Sequence, residues 1–432
     1  MEDWKKVKLK DILSKIIGGG TPSKSKPEYW NGSIPWASVK DMKDGVYKLY
    51  KTVDSITEIG LKNSSSNLIT KGNVIISTRM GLGRCFISSI NVAINQDLKA
   101  LIPKQNLIDT KYLLWLMASL SAEIQLLGTG TTVKGITIET LNNISIILPP
   151  LSEQKAIAHI LGTLDDKIEL NKQMNETLEA IARTIFKSWF VKFDPVRAKM
   201  EGKQPPGMDA ATADLFPDEF EESSLGLIPK GWKVKALPEF IEINPKRSLA
   251  KGKIAPYLDM KNMPTQGHRP DIWIDRIFVC GTKFINGDTL MARITPCLEN
   301  GKTAFVDFLQ NEQVGWGSTE YIIFRPKPPL PLQFAYYLAK YEEFKTFAIQ
   351  NMTGSSGRQR TPADCFYQYL MAVPPEEVSL KFGDLVQTLM FKISDNSEQS
   401  RTLINIRDTL LPKLISGEIR VKEADKIINN IL

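Results

Sequence analysis

Two loops carry side chains suited to holding nucleic acid. One reads Gly128-Thr129-Gly130-Thr131-Thr132-Val133-Lys134-Gly135, the other Thr353-Gly354-Ser355-Ser356-Gly357-Arg358-Gln359-Arg360. Glycines allow close approach to a ligand backbone, hydroxyls and amides bond phosphate oxygens, and Arg or Gln reads a base edge through two hydrogen bonds. Either loop alone would pass for a solvated turn; their recurrence at matching positions points to contact. The expected DNA contacts here are Thr131, Thr132 and Lys134 in the first loop and Ser355, Ser356, Arg358, Gln359 and Arg360 in the second. Lys40 and Lys261, beside Trp36 and Tyr257, add candidate phosphate or sugar contacts. Arg79 and Arg293, at strand ends, join them. The two aromatics serve equally well as core residues, and the two arginines as local salt-bridge partners.

Catalytic chemistry finds little material. A phosphate-wrapping GxxxxGK[ST] loop is absent, and Gly18-Gly19-Gly20-Thr21-Pro22 lacks the spacing of a dinucleotide fingerprint. An adenine methyltransferase needs an Asn/Asp-Pro-Pro-aromatic motif, and Asn244-Pro245-Lys246 lacks the second proline and the aromatic. Carboxylates such as Asp218 and Glu201 fall in a connecting region with no core to position a metal. Two histidines, His159 and His268, and four cysteines without a CxxC pair leave no basis for a Cys/His metal site or for histidine acid–base work.

The elements that must position the loops occur twice. Trp4-Lys5-Lys6-Val7-Lys8-Leu9 opens one module and Trp232-Lys233-Val234-Lys235-Ala236-Leu237 the other. Ile34–Met42 then matches Ala255–Met263, and Lys71–Arg79 matches Asn286–Arg293, each a glycine turn feeding an apolar strand that ends in arginine. Short β-branched runs such as Ile144–Leu148 and Tyr321–Phe324 imply antiparallel strands. One amphipathic helix per module is expected, near Thr110–Ala122 and Leu332–Phe344. The fold class is α+β, two similar modules each with a curved sheet.

Each module closes on Pro-Pro followed by a long helix. Pro149-Pro150 leads to a helix ending near Trp189, and Pro374-Pro375 to one ending near Ser416, a shift of 225 residues. Ser152 is placed to cap the first helix, and Glu153 favours its positive end. Leu164, Ile168, Asn171, Asn175, Leu178, Ala182, Ile185 and Trp189 recur at spacings of four and three. Leu389, Ile393, Asn396, Ser400, Leu403, Arg407, Leu410 and Leu414 do the same, so each helix carries a coiled-coil seam with a polar middle. Because a module intervenes, the two helices can pair antiparallel, as a pseudo-twofold internal repeat. The resulting layout is a first target-binding module at 1–150, a helical region at 151–203, an acidic extended linker at 204–228, a second module at 229–375 and a distal helical region at 376–432.

Charge follows the same division. The chain of 432 residues carries +7, with +7 in residues 1–150, +6 in 229–375 and −6 in 204–228. Basic charge on two lobes over a near-neutral frame suits two nucleic-acid contacts, or else merely keeps the lobes soluble. No apolar run approaches the roughly 20 residues that span a bilayer. The N-terminal Met1-Glu2-Asp3-Trp4-Lys5-Lys6 lacks a signal peptide's apolar core, so a cytoplasmic protein without membrane contact is expected.

Pro149-Pro150-Leu151-Ser152-Glu153-Gln154-Lys155, Leu161-Gly162-Thr163-Leu164-Asp165 and Phe186-Lys187-Ser188-Trp189-Phe190-Val191-Lys192-Phe193-Asp194-Pro195-Val196-Arg197-Ala198-Lys199 resemble the central region of type I restriction–modification specificity subunits. Leu410–Ile419 resembles the family's second helical region. Pro374-Pro375-Glu376-Glu377-Val378-Ser379 departs from it, lacking the Leu-x-Glu-Gln signature of the first copy. The resemblance implies a non-catalytic subunit with two target-recognition domains, each reading half of a split, asymmetric double-stranded DNA sequence. It also implies helices that act as a ruler and dock two methyltransferase subunits, with motor-nuclease subunits joining. S-adenosylmethionine, ATP and magnesium would then belong to the partners. The rival readings are a two-lobed protein-binding scaffold and a fused restriction–methylation enzyme, the latter needing a cofactor motif this chain lacks.

Overall fold

The computed structural model describes residues 4–130, 133–310, 312–355 and 357–431. The chain divides into two compact units, residues 1–169 with 400–432 and residues 170–399.

In the first unit, Lys5–Lys8 pairs antiparallel with Ser145–Leu148. A five-stranded sheet runs in the order Leu13–Gly18, Leu98–Pro103, Val74–Ser77, Cys85–Ser88, Lys48–Leu49, and a four-stranded one in the order Asp54–Ile56, Trp30–Ala37, Val92–Ile94, Asn67–Ile69. The second unit repeats the plan. Lys233–Ala236 pairs with Leu370–Val373. One four-stranded sheet is ordered Ile241–Ile243, Tyr321–Pro326, Thr289–Ala292, Thr303–Phe305, the other Ile274–Ile277, Ile254–Leu258, Gly315–Gly317, Thr282–Phe284. Each unit therefore holds two larger sheets where one curved sheet was expected. The pairing is also mixed: Trp30–Ala37 lies parallel to Val92–Ile94, Lys48–Leu49 to Cys85–Ser88, and Ile254–Leu258 to Gly315–Gly317. All-antiparallel pairing was expected from the short β-branched runs; strands this short give alternation but no direction, so the parallel pairs had no signal in the sequence.

The expected single helix of each module is broken in two. Thr110–Ser119 gives way at Leu120 to Ser121–Leu127, and Gln333–Lys340 gives way at an extended Tyr341 to Glu342–Gln350. Neither leading helix has a wet face: six consecutive residues are buried in each, Tyr112–Met117 and Phe334–Ala339. A helix apolar all round belongs inside a core. The acidic segment is not an extended linker. It forms the helix Ala210–Asp214 and the hairpin Phe220–Ser223 with Gly226–Pro229, and Phe216 is buried edge-on against Trp189, ring centroids 5.1 Å apart. The two apolar anchors Phe216 and Ile228 outweigh the charge around them.

The two long helices are Leu151–Lys187 and Glu376–Ser416. The first starts at Leu151, with Gln154 N–H donating to Pro150 O at 3.0 Å, so Ser152 lies within its first turn and does not precede it as a cap. Gln154, fully buried, explains the signature position: its side chain accepts from Asp109 N–H and donates to Leu107 O and Pro149 O, tying helix to module. The helices pair antiparallel. In the first unit Ile157, Leu161 and Leu164 share a core with Leu403, Leu410 and Leu414. In the second, Ala182 and Phe186 share a core with Phe382 and Met390. Asn171 and Asn396 occupy the polar middle: Asn171 Nδ2 donates to Asn396 O at 3.2 Å and to Gln399 Oε1 at 2.9 Å, and Asn396 Nδ2 donates to Asn175 Oδ1 at 2.8 Å. Buried amide N–H groups bonded across a pair of helices disfavour slipped registers, which would strand them.

Candidate nucleic-acid interface

Both glycine loops are built the same way. Thr129 and Gly135 exchange two backbone hydrogen bonds, at 2.9 and 2.8 Å, and Thr353 and Arg360 exchange two at 3.0 and 2.9 Å. One residue after the leading threonine, Gly130 and Gly354 adopt φ of +120° and +117°, a region closed to residues with a Cβ. Thr131, Thr132 and Ser356 lie outside the described residues. Lys134, Ser355 and Arg358 are exposed and Gln359 is partly so.

Each loop is moored to the strand end that bears the arginine. Ile136 N–H donates to Thr78 O at 3.0 Å, and Thr361 N–H donates to Arg293 O at 2.9 Å; Thr78 and Arg293 in turn donate to Asp97 O and Glu320 O. Arg293 is therefore the counterpart of Thr78, and the match of Arg79 with Arg293 is off by one residue. Arg79 still reaches the first loop, because a Cβ built on Gly135 would lie 3.2 Å from its Cγ.

Behind each loop stands a carboxylate that sequence reasoning missed. Asp97 lies 3.7 Å from Arg79, and its N–H bonds Asn95 Oδ1. Glu320 accepts Arg360 Nε on both oxygens, at 2.8 and 3.0 Å, lies 3.8 Å from Arg293 Nε, and its N–H bonds Ser318 Oγ. The available signal was a polar residue two before an acid at the head of a buried strand, Asn95-Gln96-Asp97 and Ser318-Thr319-Glu320.

The other candidates have local partners of their own. Trp36 is 4% exposed and spends its indole N–H on Gly20 O at 3.2 Å, leaving no polar atom for DNA. Its strand equivalent Tyr257 is half-buried, packed on Trp316 at 4.4 Å under Arg276 at 5.0 Å. Trp316 has taken the interior place. Lys40 pairs with Asp54 at 3.0 Å, and Lys261 is exposed on a short 3₁₀ turn capped by Asp259.

Residues 1–180 match the family described as "Type I restriction modification DNA specificity domain". The chain is 28% identical to the type I restriction enzyme MjaIX specificity subunit of Methanocaldococcus jannaschii, over 98% of this chain and 95% of that one. It is 25% identical to the HindI specificity subunit of Haemophilus influenzae, over 97% and 100%. Over nearly its whole length the chain is similar to type I restriction–modification specificity subunits, and its first 180 residues match their DNA specificity domain. Its fold agrees with the crystal structure of such a subunit from M. genitalium, with TM-score 0.55 and 17% identity over 95% of this chain and 96% of that one. A specificity subunit contributes DNA target recognition and no catalysis of its own. Among the described residues, no group of His, Cys, Asp and Glu is placed to hold a metal ion, and no helix is long and apolar enough to cross a membrane.

Proposed function

We propose that each unit of this specificity subunit reads one half of a bipartite, asymmetric double-stranded DNA target, and that the paired long helices dock two methyltransferase subunits, with motor-nuclease subunits completing the complex. The recurrence of the moored loop carries this reading: one scaffold appears twice with different side chains, Lys134 on one loop and Arg358, Gln359 and Arg360 on the other. Equal scaffolds with unequal contact residues suit two different half-sites. Leu170 and Ile181 on the first helix, and Leu385 and Phe391 on the second, leave 50%, 44%, 37% and 62% of their surface exposed, apolar area that a docked subunit would cover. S-adenosylmethionine, ATP and magnesium would be held by the partners.

Selection of bound duplexes from a random pool by the chain with its methyltransferase partner tests this. Two short fixed blocks separated by a constant run of unselected positions are expected. A single uninterrupted block, or no enrichment, contradicts the reading.

A further inference from the structure

Arg360 closes the base of the second loop and Arg293 takes its mooring hydrogen bond, and both side chains are already engaged. Glu320, whose side chain is 22% exposed, takes Arg360 Nε on both oxygens, while Arg360 Nη1 donates to Arg358 O at 3.2 Å. Arg293 is held differently. Its Nε is buried, has no hydrogen-bond partner, and lies 3.8 Å from Glu320 Oε2, a distance of charge attraction alone. Arg293 also lines an open polar cleft of about 280 Å³ with Thr282, Lys283 and Thr319. Two cations, hydroxyls and an open cleft would attract any phosphate. The carboxylate behind them opposes that.

We propose that Glu320 is a positioning residue that sets the discrimination of the second unit, by occupying Arg293 and Arg360 until a target half-site draws them away. The inference rests on the reading that this loop contacts DNA. Sequence-independent affinity comes from cations that neutralise phosphates and release counterions, so arginines neutralised internally contribute little to it. A half-site that offers them base-edge acceptors recovers the cost, and arbitrary DNA does not; discrimination arises from the penalty on the wrong partner as much as from contact with the right one. Asp97 stands at the equivalent place in the first unit but only 3.7 Å from one more exposed arginine, Arg79, so the same device is weaker there.

The test is a salt series of binding by the full chain to a pool of random-sequence duplexes, with Glu320→Gln, Glu320→Asp, Arg358→Ala, Arg360→Ala and, as a charge control, Glu299→Gln at an exposed carboxylate. Glu320→Gln should bind the pool about three- to tenfold tighter near 0.1 M salt and steepen the slope of log affinity against log salt by about one to two. Glu299→Gln should stay within about twofold of the parent, and Glu320→Asp, which keeps the charge, should stay near it. Arg360→Ala leaves Glu320 in place and should lose less pool affinity than Arg358→Ala. If Glu320→Gln gains no more than Glu299→Gln while Arg358→Ala weakens binding, the loop reading stands and this inference falls. If Arg358→Ala changes nothing, the loop reading itself fails.

Discussion

Arg407 and Asp165 form a buried ion pair, Nη1 to Oδ1 at 2.7 Å, with side chains 1% and 8% exposed. Arg407 also lies 4.8 Å over the Tyr47 ring and bonds Asp408 through Nε. The pair does not recur. Shifted by the repeat of 225 residues, its positions are Met390 and Ala182, both buried in the second unit's core. Two ways of filling one helix–helix layer thus coexist in the chain. Removing one partner of a buried pair leaves an uncompensated charge, so Asp165→Ala and Arg407→Ala should each cost about 3–5 kcal/mol. The double variant Asp165→Met with Arg407→Ala, which copies the other layer, should recover most of that loss in chemical unfolding. A double variant as unstable as the sum of the singles would contradict this.

Asp307 gives a pH dependence. Burial raises its carboxyl, but His268 at 3.1 Å, Arg269 at 3.7 Å and the Ser394 hydroxyl at 2.9 Å outweigh that and hold it below the usual 3.8. A carboxylate more acidic folded than unfolded contributes stability that is fully present above the unfolded value. It is lost as pH falls from there through the folded one. Asp307→Asn should therefore unfold more easily at neutral pH and lose less of its remaining stability below pH 3.8 than the parent does. Parallel stability curves for the two proteins would contradict the assignment.

At the second loop, Arg358→Ala or Gln359→Ala should weaken recognition of one half-site and leave the other intact. Each two-bond base contact is worth about 1–3 kcal/mol of discrimination. Competition binding with duplexes altered in one half at a time reads this directly. Equal losses on cognate and scrambled DNA would assign both residues to phosphate contact.

Sequence spacing revealed the repeat, the two long helices and the paired loops, because Pro-Pro, heptad periodicity and glycine clusters are local signals. Asn171 and Asn396 were legible as equivalent polar positions of the two seams for the same reason. What stayed hidden depends on contacts distant in sequence. Arg407 looked like one more seam position, and only Asp165 opposite explains its burial. Tyr341 breaks a helix whose apolar pattern runs through it. Phe216 and Ile228 turned an acidic stretch into packed structure. Arg293 was matched one residue out of place because arginine is conspicuous, whereas the hydrogen bonds that define the equivalence run through the backbone of Thr78. Glu320 went unremarked because its partners Arg293 and Arg360 lie far from it in the chain.

If the helices act as a ruler, lengthening both should change the number of unread base pairs. Four residues inserted near Asn171 add about 6 Å. Two base pairs rise about 7 Å. A matching insertion near Asn396 is needed, since four residues in one helix alone are a stutter in the seam. The double insertion should shift the gap by about two base pairs in selected duplexes. An active protein that keeps the original gap would show that the helices do not measure it.

The central claim is that this chain directs methylation to a two-part sequence, one part per unit. Base-resolution mapping of methylated adenines in the host genome, with the gene intact, deleted, or carrying Arg358→Ala, tests it most directly. The account predicts a split motif with a constant gap that vanishes on deletion and relaxes in one half only in the variant. A motif that survives deletion, or one without a gap, would contradict it.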